Sequence, residues 1–188
     1  MNLFSGNYKN DCDILLEKLK IIEIVSGTVR SKMYKQSKKT GGSALYGYTW
    51  KSYLSPTKNR TPSEYQGLCN TKLVDTNPEL RLYFKEFSKI HLDNFDFTQV
   101  QINKNFKCPP HFDSSNIGQS MMVALGDYTG GDTAIEFELY NPVYFDARKE
   151  PLKFNGALFK HWVMPWIGDR YTLVFFDNLK NKIIRERD

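Results

Sequence analysis

The sequence predicts an α+β fold: a double-stranded β-helix, or jelly roll, with helices packed on one of its sheets. Three observations predict it. Apolar residues recur at helical spacing only before about residue 91. The period changes to two just after that, and short strand-like runs follow one another to the end, separated by Gly, Asn and Pro. Helices first and then many short strands fit an antiparallel double sheet, not alternating βαβ units. At 188 residues the chain suits a single domain, with residues 1–95 as a helical and basic-loop part and 96–188 as the jelly-roll core.

The first element is a helix from Asp11 to about Val25, where Ile14, Leu15, Leu19 and Ile22 share a face. The stretch Ser26–Asn70 follows, punctuated by Gly41, Gly42, Ser43, Pro56 and Pro62, and reads as a long irregular segment of the kind that often carries function. A second helix starts with Asn77 as cap and Pro78 in the first turn, and Leu80, Tyr83, Phe84, Phe87 and Ile90 form its stripe. His91 ends it as a surface residue near the negative end of the helix dipole. Next comes a strand with Phe95, Phe97, Gln99, Gln101 and Asn103 on one face and Thr98, Val100 and Ile102 on the other. Further strands are expected at 119–126, 133–139, 142–146, 151–154, 157–164 and 170–177. Gly130-Gly131, Asn141-Pro142, Asn155-Gly156 and Gly168-Asp169 mark turns; Asn155-Gly156 reads as a hairpin delivering the strand of His161, and Gly126, Gly130 and Gly131 as a tight hairpin turn.

Composition bounds the partners. The chain is 40% hydrophobic, 14% aromatic and 25% charged, the balance of a globular domain. No apolar run approaches the ~18 residues of a membrane span, and the first residues lack the basic-then-apolar pattern of a secretory signal, so an intracellular location (cytoplasm or nucleus) is expected. Cys12, Cys69 and Cys108 form no paired motif and suit a reducing compartment. The net charge of +5 is concentrated: no acidic residue lies between Glu23 and Glu64, while eight basic ones do. Lys32, Lys35, Lys38 and Lys39 stand among them, interleaved with Tyr34, Tyr46, Tyr48, Trp50 and Tyr53. Cations hold phosphates and aromatic faces stack on unpaired bases, so nucleic acid is one expected partner; a solvated lysine-rich loop is the other reading.

His111 and Asp113 are two apart and so share a strand face; His161 comes from a later strand. Two imidazoles and a carboxylate make the facial ligand set of a non-haem iron(II) oxygenase, with positions left open for cosubstrate and O2. Arg170, with Thr172 on the same side of its strand, offers a guanidinium fork and a hydroxyl to a dicarboxylate such as 2-oxoglutarate.

These residues sit in stretches that resemble the 2-oxoglutarate/Fe(II) dioxygenases: Gln101 to Asn116, Leu125 to Asp132, Phe154-Asn155-Gly156 and His161 to Phe176. Within that superfamily they look most like the TET/JBP group, through the Asn-x-Asn of Asn103 and Asn105, the Gly126 to Gly131 run, and Gly168-Asp169-Arg170-Tyr171. The resemblance implies His111, Asp113 and His161 as iron ligands, Arg170 and Thr172 at the distal carboxylate of 2-oxoglutarate, and Asn103 and Asn105 near the cosubstrate. It implies Fe(II), 2-oxoglutarate and O2 as cofactors, and oxidation of the methyl of 5-methylcytosine or thymine, with DNA the expected partner. The same chemistry on a protein side chain or small molecule, and a non-catalytic nucleic-acid-binding module, are the competing readings.

Overall fold

The computed structural model describes residues 3–26, 41–51 and 67–178. Lys32, Lys35, Lys38 and Lys39, and with them most of the basic stretch, lie outside the described residues.

The expected architecture is present. A six-stranded antiparallel sheet has the order β2-β1-β3-β11-β4-β8. Its strands are β1 (Gly42–Lys51), β2 (Gly67–Asn70), β3 (Gln99–Lys104), β4 (Asn116–Leu125), β8 (Leu152–Phe154) and β11 (Tyr171–Asn178). Facing it are β5 (Tyr128–Gly130) with β10 (Trp166–Gly168), and the three-stranded set β7-β6-β9, made of β6 (Thr133–Glu138), β7 (Asn141–Phe145) and β9 (Lys160–Val163). Among the described residues the helices are α1 (Tyr8–Lys20), α2 (Lys72–Thr76) and α3 (Leu80–His91).

The large sheet has two dressed faces because its strands alternate. Val100, Ile102, Val123, Leu173 and Phe175 point outward and join Leu15, Leu19, Leu80, Phe84 and Phe87 of the helices in one buried cluster. Met122, Ala124, Val174 and Phe176, one step along the same strands, point inward and pack with Ile135 of the facing set and with Phe154 of the sheet's own β8. Full burial of each large apolar side chain stabilises by ~1.5–3 kcal/mol, so the helix-covered face is the main store of stability. Edge-to-face aromatic pairs tie it together, with Phe175 against Phe84 at 5.8 Å and against Phe97 at 5.0 Å.

Several expectations need correcting. Helix α1 starts three residues before Asp11, because the Asn7 side chain accepts from the Asn10 N–H and caps it there. It stops at Lys20, and Ile21 and Val25 are exposed beyond it. The Ser26–Asn70 stretch is not wholly irregular: it supplies β1 and β2, so the division at residue 95 is bridged by six β1–β3 residue pairs. Asn77 closes α2 instead of capping α3 with its side chain: its N–H donates to the Leu73 carbonyl and its own carbonyl receives the Leu80 N–H. Phe95 and Phe97 pack on the helix side, opposite to Gln99, so the alternation holds only within β3 itself.

Asn155-Gly156 does not turn a hairpin. Strand β8 pairs with β4 and β9 with β6, so the segment crosses between sheets, and the Asn155 carboxamide oxygen accepts from the N–H groups of Ala157 and Leu158. Asn141 and Pro142 begin β7; the turn lies just before, at Tyr140 with φ 63°. His91 is not a surface residue: its side chain is 7% exposed and pairs with the fully buried Asp11, Nε2 to Oδ2 2.7 Å. Tyr8 and Phe87 flank its ring. The Asp11 carboxylate also accepts from Ser5 and Gly6. Burial raises its pKa, but these hydrogen bonds outweigh it and hold the carboxyl below the usual range.

Candidate metal centre

Residues 111–113 run beside β9, and His111 and His161 form an isolated antiparallel bridge. Each donates its N–H to the other's carbonyl, at 3.1 and 3.0 Å. Asp113 is fixed by its own N–H donating to the Gly156 carbonyl at 2.8 Å. One ligand atom from each of His111, Asp113 and His161 lies within 4.8 Å of the other two. The three candidate ligands therefore meet as the spacing predicts.

Backbone carbonyls choose the tautomers. His111 Nδ1 lies 2.8 Å from the Pro109 carbonyl and His161 Nδ1 lies 3.0 Å from the Phe159 carbonyl. A carbonyl oxygen only accepts, so both Nδ1 atoms carry a proton and the Nε2 atoms are the ones that would meet a metal. Those Nε2 atoms face the two oxygens of Asp113, at 3.4 and 3.5 Å. Burial lowers the basicity of His111, yet Asp113 and Cys108 beside it push its pKa up to about 11. Burial works against ionisation of Asp113, and the two imidazoles outweigh it, so the carboxyl is held far below its usual range. Two imidazole nitrogens and a carboxylate on one side, with open space on the other, fit iron(II) with exchangeable positions. Asn116 supports the carboxylate, its amide donating to Asp113 Oδ2 at 3.3 Å. Gly156 leaves it room: a Cβ there would sit 3.0 Å from Asp113 Oδ2 and 3.2 Å from the His161 ring.

The centre opens into a cavity of about 310 Å³ between the sheets, and Arg170, Thr172, Asn103 and Gln101 also line it. Arg170 is 5% exposed, and among the described residues no carboxylate pairs with it. Its Nε–H donates to the Gly131 carbonyl, and its head lies over the rings of Tyr128 and Trp166. Gly131, at φ 75°, is there because a Cβ would come within about 3.0 Å of both Tyr128 and Arg170. The glycine run thus wraps the arginine and is not a simple hairpin, since β5 pairs with β10. Burial lowers the Arg170 pKa, but a guanidinium keeps its charge at any physiological pH. A buried, unneutralised cation is costly alone and calls for an anionic ligand.

Thr172 and Asn103 stand directly opposite each other on β11 and β3, and the Asn103 amide donates to Thr172 Oγ1 at 3.0 Å. Asn105 is turned elsewhere. Its side chain accepts from the Arg170 N–H and donates to Asp169, so it braces the backbone of Arg170 and is not among the cavity's walls. Cys108, which belongs to no paired motif in the sequence, borders the cavity with its sulfur 3.5 Å from the His111 ring. Ser43 was also missed: it sits in a Gly-rich run with no strand-like alternation, and only the pairing of β1 with β3 brings it, buried, against Asn103 of the cavity wall.

No family model matches the sequence, and no curated protein matches it. Solved structures do. The chain is similar to NgTET1 in complex with 5mC DNA, with a TM-score of 0.52 and 16% identity over 95% of this chain and 76% of that one. It is similar to a prolyl hydroxylase from Trichoplax adhaerens, solved with a hypoxia inducible factor oxygen degradation domain peptide fragment, with a TM-score of 0.50 and 11% identity over 100% and 84%. An oxidoreductase of the 2OG-Fe(II) oxygenase family from Burkholderia pseudomallei aligns with a TM-score of 0.43 and 19% identity over 58% of this chain, and the match spans only 60% of that protein. Similarity at this level of identity establishes the jelly-roll fold and leaves the chemistry to the residues.

Proposed function

We propose that this chain is a 2-oxoglutarate- and Fe(II)-dependent dioxygenase that hydroxylates the methyl group of a nucleic-acid base, 5-methylcytosine or thymine in DNA. The observation that carries the oxygenase reading is the convergence of His111, Asp113 and His161 on one cavity with the buried cation of Arg170, which no carboxylate among the described residues neutralises. Iron(II), 2-oxoglutarate and O2, when bound, supply oxidative decarboxylation coupled to hydroxylation of a C–H bond. The chain's own residues do the rest. The two Nε2 atoms and the Asp113 carboxylate hold the metal, while the Pro109 and Phe159 carbonyls keep the imidazoles in the ligating tautomer. Arg170 and the Thr172 hydroxyl receive the distal carboxylate. The free thiols Cys12 and Cys108 suit the reducing, intracellular setting that ferrous iron needs.

The base as target rests on less. The likeness to NgTET1, the Asn-x-Asn and Gly-Asp-Arg-Tyr words, and the local basic segment with its interleaved aromatics support it. A methyl group of a duplex base must be flipped out to enter a cavity between two sheets.

The deciding experiment incubates protein reconstituted with iron(II) under argon, then given 2-oxoglutarate and air, with DNA containing 5-methylcytosine or thymine. Nucleosides are read by mass spectrometry and succinate in parallel. One oxygen gained on a base, dependent on iron and 2-oxoglutarate, is the expected result. Succinate without base oxidation keeps the oxygenase and turns the search to peptide substrates, given the equal likeness to a prolyl hydroxylase. Neither product, from folded and metal-loaded protein, favours a nucleic-acid-binding module. Replacing Lys32, Lys35, Lys38 and Lys39 with Glu is expected to weaken DNA binding and flatten its salt dependence in a filter-binding titration.

A further inference from the structure

A row of polar side chains runs from the buried Ser43 to the cavity wall at Gln101, Asn103 and Thr172, and its hydrogen bonds have a single possible direction. Ser43, Asn103 and Thr172 stand directly opposite one another across β1, β3 and β11. Gln101 crosses to the same row. Its Nε2 lies 2.7 Å from the Ala44 carbonyl and 3.0 Å from Ser43 Oγ.

The Ala44 carbonyl only accepts, which fixes the Gln101 amide nitrogen on that side. The second Nε2 proton then points at Ser43, whose hydroxyl must accept it. The one Ser43 proton is left to donate, and it goes to Asn103 Oδ1 at 2.6 Å. That contact orients the Asn103 amide, so its Nδ2–H donates to Thr172 Oγ1 at 3.0 Å. Thr172 is thereby made an acceptor from the wall. Among the described residues no acceptor takes its hydroxyl proton, and Thr172 is 3% exposed on the face it shares with Arg170. The proton is aimed into the cavity.

We infer that Ser43 and Gln101 are positioning residues which, through Asn103, force the Thr172 hydroxyl to act as a donor to the distal carboxylate of a 2-oxo dicarboxylic acid. The inference rests on the cosubstrate reading proposed above. A serine on the first strand thus sets the preference of a pocket whose ligating residues all lie sixty or more positions later. Without the relay the hydroxyl is free to turn its proton to Asn103 and offer a lone pair to the carboxylate, which repels it.

The test is calorimetric binding to the full chain loaded with manganese(II), which reads affinity without turnover. The ligands are 2-oxoglutarate and 2-oxobutyrate, which shares the metal-binding end but lacks the distal carboxylate. Ser43→Ala is expected to weaken 2-oxoglutarate by about tenfold, in the range of one hydrogen bond to a charged group, and to leave 2-oxobutyrate unchanged. Ser43→Thr, which keeps the hydroxyl, is expected to restore the affinity. In a Thr172→Val background Ser43→Ala is expected to cost nothing further, because the group it orients is gone. Equal weakening of both acids, or an undiminished effect in the Thr172→Val background, overturns the relay and leaves Ser43 a packing residue. Unchanged 2-oxoglutarate affinity in Ser43→Ala overturns it as well. Wild-type protein that binds manganese but neither acid overturns the cosubstrate reading, and the relay with it.

Discussion

The two faces of the six-stranded sheet are built from the same strands and have opposite tasks. Along β11, Leu173 and Phe175 sink under α3, while Thr172 and Val174 face the cavity. Along β3, Val100 and Ile102 belong to the helix side and Gln101 and Asn103 to the cavity side. The outer face is apolar and filled. The inner face has polar groups, a cation that no carboxylate among the described residues neutralises, and space. A residue shift of one in either strand would exchange them, because the side-chain period is two. The filled face therefore holds the open face in register. It supplies stability that the inner face, with its buried Arg170, gives up.

The comparison breaks most completely if the inner face can be changed without loss of function. Asp113→Ala is expected to abolish turnover and to lower metal affinity by more than the ~10–100-fold typical for losing a ligand's supporting partner. Iron or cobalt titration and succinate release check this, and the melting temperature is expected to hold. On the outer face the pattern reverses. Phe175→Ala leaves a cavity under α3 and is expected to cost ~3–5 kcal/mol in denaturant unfolding. Metal affinity per folded molecule should stay unchanged; a parallel loss of both would show that the faces are not separable.

Arg170→Ala comes next. It is expected to raise the 2-oxoglutarate requirement by about 10–100-fold, the worth of charge-assisted hydrogen bonds, with stability held or raised because a lone buried cation is gone. The smallest effect belongs to the helix pack. The Asp11 carboxyl is held below its usual range, so its contribution is present above the unfolded value of 3.8 and is lost as pH falls through the folded one. Melting temperature should thus drop more steeply below about pH 4 in the wild type than in Asp11→Asn. Identical slopes would remove Asp11 from the account of acid stability.

How much of this was legible in the sequence follows from the range of the interactions. His111 and Asp113 could be read because two-residue spacing on an extended strand is local physics. The stripe of α3 and the alternation of β3 are local in the same sense. Ser43 could not be read, because its role comes from pairing with a residue sixty positions away. Nor could the Asp11–His91 pair, eighty positions apart, which made His91 look like a surface residue. Asn155-Gly156 has hairpin chemistry, but the partners of β8 and β9 lie in different sheets, and tertiary pairing overrode the local signal. The carbonyls of Pro109 and Phe159 leave no mark on residue type at all, since every residue carries one.

The mutual backbone bond between His111 and His161 has a consequence for how the centre meets its metal. The separation of these two residues is a spacing of the β-ladder, set by peptide groups and indifferent to what the imidazoles hold. The chain alone fixes how far apart the two histidines stand. On the proposed metal reading, uptake of an ion is then a docking event and not a folding one, with little ordering entropy left to offset.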